Sequence, residues 1–327
     1  MAELWVLVGF HVLIGAVLAL DLGFRPHARV ISRTEAAAWS AVWVALALAF
    51  AGAIWQFWPA WRPDQPDQGR IKALEFLTGY LVEKALSVDN LFVFLVVFRY
   101  FAVPADLQRK VLTWGILGAL VLRASLILAG AALLTLFFWM NYVFGAFLIY
   151  TAYKLARAGE HDMDPSRNVV LRLARRFFPV TDDYGSGRFF VRSAGRWLVT
   201  PLFLVLLVVE TTDLLFAVDS IPAIFGITHD VFIVYTSNIF AILGLRALYF
   251  LLAGLLDMFR YLDVGLAVVL GFVGIKMIVE EAAGPYLEAH GWAGNGRTLA
   301  SLAVIAGILM CAVLASVVRG PDPSLKR

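Results

Sequence analysis

Nine apolar runs, near residues 4–22, 37–58, 73–98, 111–138, 141–157, 198–225, 231–256, 262–281 and 298–318, follow one another along the chain with mostly short connections. Most of them approach or exceed the ~20 residues with which a helix crosses a bilayer, where every backbone polar group must be paired within the segment. The fold expected is an all-α polytopic membrane protein of nine transmembrane helices. A mean hydropathy of +0.81, with 61% hydrophobic and 16% charged residues, is far from that of a soluble domain. Only "FWMNY" separates the fourth run from the fifth, so their boundary is open, as is a re-entrant form of one short run.

The opening "MAELWVLVGFHVLIGAVLALDLGF" has neither a basic start nor a small-residue cleavage pattern, so it is expected to be a retained span. With the N-terminus outside, eighteen Lys and Arg fall in inner connections and four (Arg62, Arg70, Lys72, Arg297) in outer ones. This asymmetry predicts a multi-pass protein of the cytoplasmic membrane, N-terminus outside and C-terminus cytoplasmic. The net charge of +3 thus sets topology, and no nucleic-acid partner is expected. A single membrane domain follows: two N-terminal helices within 1–72, a three-helix unit at 73–157, a basic inner segment at 158–197, a second three-helix unit at 198–281 and a last helix at 298–318. The basic segment reads either as a solvated loop or, through "NVVLRLARRFF", as an amphipathic helix lying on anionic lipid. The Gly-rich "GPYLEAHGWAGNGR" reads as a flexible outer connection.

The two three-helix units repeat each other. "EKALSVDN" superimposes on "DLLFAVDS", so that Glu83 and Asp89 match Asp213 and Asp219; "ILGALVLRA" around Arg123 matches "IFAILGLRA" around Arg246; "FLIYTAYK" matches "VLGFVGIK". Three is odd, so the second copy enters from the opposite side, giving an inverted repeat of helices 3–5 and 6–8. At about 1.5 Å per residue Glu83 and Asp213 meet near the midplane, with Asp219 toward the outside and Asp89 and Glu210 toward the inside. An acidic residue at the bilayer centre costs roughly 2.5–3.5 kcal/mol, so five of them call for a purpose.

Structural pairing is one purpose, since Lys84, Arg123, Arg246, Lys154 and Lys276 are equally available as buried bases. Arg123 and Arg246 are expected to hold one carboxylate each, Lys84 to point away from Glu83, and Lys154 and Lys276 to snorkel at inner helix ends. Cation binding is the other. A set of oxygen ligands suits Mn²⁺, Mg²⁺ or Ca²⁺, with Asn90 and Ser220 as neutral ligands beside the paired aspartates, and the single cysteine, Cys311, rules out an intrachain thiolate cluster. A six-residue step turns a side chain about 120° around a regular helix, so either the helices unwind there or two sites exist. Pro222 favours unwinding beside Asp219, freeing the Val218 carbonyl. Asp21 is expected to pair with Arg25, and Thr211 and Thr212 to satisfy backbone carbonyls.

"TGYLVEKALSVDNLFVF", "ETTDLLFAVDSIPAIFGIT" and "YTSNIFAILGLRALYFLLA" resemble the TerC/Alx family of integral membrane proteins, named for tellurium resistance and similar to the wider LysE transporter superfamily; the likeness covers about residues 70–281. The resemblance implies efflux of Mn²⁺ or a related divalent cation, with Glu83, Asp89, Glu210, Asp213 and Asp219 as the metal site; apart from it, carboxylates held close together cannot all stay ionised without a cation, so proton coupling is expected. It also offers an alternative, a membrane-protein insertion or scaffold factor with a homo-oligomeric or other membrane partner and a link to stress response. No prosthetic group is expected, the metal being cargo. No enzyme is expected either: His11, His27, His161, His229 and His290 are scattered, His11 reads as a packed or hydrogen-bonded residue, and neither HExxH nor GxSxG occurs.

Overall fold

The apolar runs fold as helices because that is how a backbone without water pairs its own N–H and C=O groups. The computed structural model describes residues 2–23, 32–137, 139–157, 169–181, 183–184, 187–193, 195–252, 261–289 and 295–319. Its helices are α1 (Ala2–Gly23), α2 (Arg33–Trp61), α3 (Gly69–Tyr100), α4 (Ala105–Leu136), α5 (Met140–Arg157), α6 (Val169–Phe177), α7 (Pro201–Phe225), α8 (Val231–Leu243), α9 (Leu245–Leu252), α10 (Leu262–Ala289) and α11 (Asn295–Arg319). Among the described residues six segments are long and apolar enough to cross a membrane: α2, α4, α7, α8 with α9, α10 and α11. The apolar stretch of α1, Trp5–Ala19, is shorter. Helix α3 is long but carries the charges that prompt the functional reading, and α5 has 18 residues.

Local chemistry sets the helix ends. The Ser32 hydroxyl accepts from the Glu35 amide at 3.2 Å to start α2, and the Asp230 carboxylate accepts from the amides of Phe232 at 3.0 Å and Ile233 at 3.4 Å to start α8. Helix α4 ends at Leu136 and α5 begins at Met140, so "FWMNY" does contain a helix boundary.

Helices α3, α4, α7 and α8 form the centre. Helix α3 packs on α8 and α7, α4 on α7 and α8, and α5 along α10, while α2 covers α3 and α9, and α11 covers α10 and α3. The α5–α10 seam is tight because of glycine. A Cβ on Gly145 would fall 2.9 Å from the Gly274 carbonyl oxygen, and one on Gly274 would fall 2.7 Å from the Gly145 carbonyl oxygen.

Three expectations are corrected here. Helix α7 runs unbroken through Asp219 and Pro222; one proline in the last turn removes one hydrogen bond and does not unwind the helix. The interruption lies instead at Gly244, between α8 and α9. There the Lys84 ammonium donates to the Ala241 carbonyl at 3.1 Å, capping the end of α8. A Cβ on Gly244 would lie 2.7 Å from that ammonium nitrogen and 3.2 Å from the Trp43 Cβ. Replacing Gly244 with alanine is expected to displace the ammonium and lower stability by about 1.5–3 kcal/mol, the range for a charged hydrogen bond, read as a lower midpoint in thermal unfolding of the detergent-solubilised protein.

The second correction concerns the solvated-loop reading of the basic segment; the helix of its other reading, over "NVVLRLARRFF", is present as α6. The segment's described part, from residue 169, is folded and docked. Helix α6 buries Leu171 and Ala174 against the core, and β1 (Phe190–Ser193) pairs antiparallel with β2 (Arg196–Val199). The Tyr184 hydroxyl donates to the Phe101 carbonyl, and Lys110 donates to the Gly187 carbonyl at 2.7 Å while lying over the Phe189 ring. The third is the Gly-rich connection expected to be flexible, part of which is helix, since α10 continues to Ala289 and α11 starts at Asn295. The side chains of Asp21 and Arg25, and His27, His161 and His290, lie outside the described residues.

Candidate functional site

Four helices bring polar side chains to one buried point. Glu83 comes from α3, Arg123 from α4, Asp213 and Ser220 from α7 and Asn238 from α8, at relative exposures of 0, 1, 4, 1 and 1% respectively. The Arg123 guanidinium lies between the two carboxylates. Its Nη1 donates to Glu83 Oε1, and to Asn238 Oδ1 at 3.2 Å and Ser220 Oγ at 3.5 Å; its Nη2 donates to Asp213 Oδ1 at 3.1 Å, and its Nε to Asp213 Oδ2 at 3.4 Å. Asn238 returns a bond from Nδ2 to Glu83 Oε2 at 3.3 Å, and the Ser87 hydroxyl donates to Glu83 Oε1 at 3.4 Å.

Arg123 therefore takes both Glu83 and Asp213, where one carboxylate is expected. The other expected partner of a carboxylate, Arg246, is buried on α9 with its Nη1 directed at the Thr113 hydroxyl, 3.5 Å away. Two carboxylates against one guanidinium leave a formal excess of one negative charge at the Arg123 cluster. Removing ions from water costs several kcal/mol each, and apolar packing of the same volume is often as stable or more so. Stability alone thus gives little reason to keep these groups.

The remaining acidic positions flank the cluster. Glu210, half-buried one helical turn from Asp213, lies against α4 where Gly118 leaves room; a Cβ there would collide with its carboxylate. Asp219 accepts from the Thr151 hydroxyl of α5 at 3.3 Å and is also half-buried. With α7 unbroken, Asp213 and Asp219 face different neighbours, so of the two geometries open to a six-residue step the chain adopts two separate places. Asn90 is buried on α3. Asp89 is on α3 too, but its side chain is outside the described residues. Thr211 and Thr212 donate to the carbonyls of Leu207 at 2.8 Å and Val208 at 2.7 Å, as expected.

At the end of the bundle where α3 begins, a cavity of about 380 Å³ is lined by Lys72, Glu75, Asn141, His229, Asp230, Lys276, Glu280, Glu281 and Arg297, among others. Ion pairs and hydrogen bonds cross it: Lys72 to Glu75 at 2.9 Å and to Asp230 at 3.7 Å, Thr228 to Glu75 at 2.5 Å, Asn141 to Glu281 at 2.7 Å, and Lys276 to Glu280 at 3.1 Å and to the Gly226 carbonyl at 2.8 Å. Lys276 therefore sits at the end opposite Lys154, correcting the expectation that both occupy the same end: α10 runs antiparallel to α5, which puts Lys276 beside Asn141 at the start of α5.

Asn238 was missed as a member of the cluster. Its signal was available, a lone amide in the apolar run "VYTSNIFAIL", of the same kind as Asn90. His11 bonds Leu7 O through Nδ1 at 2.7 Å and the Tyr235 hydroxyl through Nε2 at 2.8 Å, a packing role.

Apolar helices closing around a buried, hydrogen-bonded ion cluster define an integral membrane protein with a polar centre. Comparison with known sequences makes that class specific. Residues 68–322 match the Integral membrane protein TerC family, and the chain belongs to it. It is 48% identical over 317 residues to an uncharacterised membrane protein of Myxococcus xanthus, covering 97% of this chain and 92% of the other. It is 50% identical over 273 residues to the putative membrane-bound redox modulator Alx of Escherichia coli K12, covering 83% and 84%. It is 49% identical over 249 residues to the thylakoid membrane protein TERC of Arabidopsis thaliana, covering 76% and 62%. No solved structure matches.

Proposed function

We propose that this protein carries a divalent metal ion, Mn²⁺ first among the candidates, across the cytoplasmic membrane in the direction of export. The observation that carries the reading is the Arg123 cluster: hard oxygen donors from Glu83, Asp213, Asn238 and Ser220 converge from three helices on a point occupied by a cation that a fourth helix, α4, supplies. The guanidinium fills the place of the cargo in the resting state, which keeps two carboxylates buried without a free ion. An arriving divalent cation, with twice the charge, competes for the same oxygens. Arg123 then yields Glu83, and Glu210, Asp219 and Asp89 serve as stations on either side. Protons returning to the carboxylates would supply the coupling.

Nine spans, with the N-terminus outside, complete this reading. An inverted repeat relates α3–α5 to α7–α10, and its support is the packing pattern: α3 on α8 is exchanged with α4 on α7 by a two-fold axis passing between α5 and α10. The ion pair between Lys72 and Asp230 and the hydrogen bond from Asn141 to Glu281 then join the two units across the outer end, corresponding to a state closed on that side. The redox wording in a relative's name has no dithiol to attach to here, since Cys311 is the single cysteine.

Reconstituted vesicles test the proposal. Saturable Mn²⁺ flux is expected, compared with Mg²⁺, Ca²⁺ and Zn²⁺, and it is expected to respond to an imposed pH gradient with the membrane potential clamped. If none of the four ions moves, the transport reading gives way to the insertion or scaffold one; if the ion moves regardless of pH gradient, only the proton coupling is lost.

A further inference from the structure

The described part of the basic segment, 169–199, builds a surface that the transport reading does not use. On α6, at about 100° per residue, Leu171 and Ala174 face the core, Arg172 and Arg176 form one exposed stripe, and Leu173 and Phe177 form a second stripe next to it. Leu173 is 46% exposed and Phe177 71% exposed, large values for apolar side chains on a docked helix.

The β1–β2 hairpin repeats this composition. Its register sets Arg192 opposite Trp197, which is 67% exposed, and Phe190 packs against Phe203 in the first turn of α7 with tilted rings whose centroids are 4.8 Å apart. On the α4 side, Trp114 meets Phe189 edge-on at 6.2 Å. Aromatic rings therefore collect where two spanning helices, α4 and α7, have their ends on this side of the bundle. Arg172, Arg176, Arg188, Arg192 and Arg196 are all exposed and make no ion pair among the described residues.

We propose that this face binds the headgroups of anionic phospholipid. Three features select a membrane surface over a protein partner. Trp197 lies four residues before the start of α7, so the hairpin is held covalently at the mouth of a spanning helix. Trp and Phe beside arginine are the side chains that settle at the boundary of headgroup and acyl chain. The segment is also fixed in place by Tyr184 and Lys110, so lipid would meet a preformed surface and no chain need be ordered on binding. The surface acts whether or not the Arg123 cluster moves metal.

The test uses the full chain in bilayers whose acyl chains carry bromine, a short-range quencher of tryptophan, placed either on phosphatidylglycerol or on phosphatidylcholine at equal mole fraction. The chain has ten tryptophans, so the difference between the wild type and Trp197→Phe isolates one ring. Its quenching is expected to be at least about twofold greater with brominated phosphatidylglycerol, a conservative expectation where each well-placed arginine enriches anionic lipid about fivefold. In a variant carrying Arg172→Gln, Arg176→Gln, Arg192→Gln and Arg196→Gln the preference is expected to vanish while quenching by the neutral lipid persists. Equal quenching by both lipids in the wild type overturns the proposal. So does the absence of quenching by either, the result a protein-covered face would give, and so does a preference that survives loss of the arginines.

Discussion

Arg123→Ala is expected to weaken the metal-free protein by about 3–5 kcal/mol, because two carboxylates would stay buried with no cation between them. In detergent this reads as a clear fall in the thermal midpoint. Adding Mn²⁺ is expected to restore much of the loss in the variant and to do less for the wild type, where the guanidinium already occupies the site. A ligand at a hundred times its Kd contributes about 2.7 kcal/mol, enough to see against the deficit. Mn²⁺ affinity should also rise in the variant, since the competing cation is gone. Arg123→Lys separates charge from shape: it keeps one positive charge but cannot bridge Glu83 and Asp213 with a planar fork, so its stability should fall between the other two. If Mn²⁺ left the alanine variant as unstable as before, the guanidinium would be structural and the competition idea would be abandoned.

Glu83→Gln and Asp213→Asn are expected to reduce Mn²⁺ flux by about a hundredfold each, the effect of losing a charged ligand worth roughly 3 kcal/mol. The two variants should remain folded, because each leaves Arg123 facing one carboxylate, a neutral pair. This contrast with Arg123→Ala is what makes the assignment testable: removing the base harms the fold, and removing either acid harms transport. Thr211→Ala, which loses a hydroxyl bonded to the Leu207 carbonyl, is expected to transport normally. Flux retained in both acid variants would remove the cluster from the pathway.

The meeting of Glu83 with Asp213 was legible because rise per residue along a helix is nearly fixed, so a repeat in the sequence becomes a depth in the bundle. The direction of a long side chain was not. Arg123 had two symmetric choices and took both acids, a result decided by where α4 packs on α7 and α8. Lys84 had no visible partner in the sequence, because its acceptor is a backbone carbonyl, and every residue has one. Pro222 was the more conspicuous helix breaker, yet the interruption came at Gly244, where the freed carbonyl had a lysine within reach. The hairpin at 190–199 was hidden for a different reason. Its anchors, Tyr184 to Phe101 and Lys110 to Gly187, join segments more than 70 residues apart, and a string of arginines looks the same in a solvated loop as on a docked platform.

The glycines at the α5–α10 seam act as a bearing. With the Gly145 and Gly274 backbones in near contact, flanked by Leu148, Ile149 and Ile278, sliding along the seam meets hard atoms sooner than rolling about it does. A joint that can roll but not slide converts a small angular change into travel that grows with distance from the joint. The Lys72 ion pairs lie near the joint, on a cavity that Asn141 and Lys276 also line, so little of that travel reaches them. Bulk added at the seam would part the helices: a Cβ on Gly145 falls 2.6 Å from Ile278 Cγ1 and 2.9 Å from the Gly274 carbonyl oxygen, so Gly145→Val should lower the thermal midpoint in detergent although it touches no residue of the Arg123 cluster.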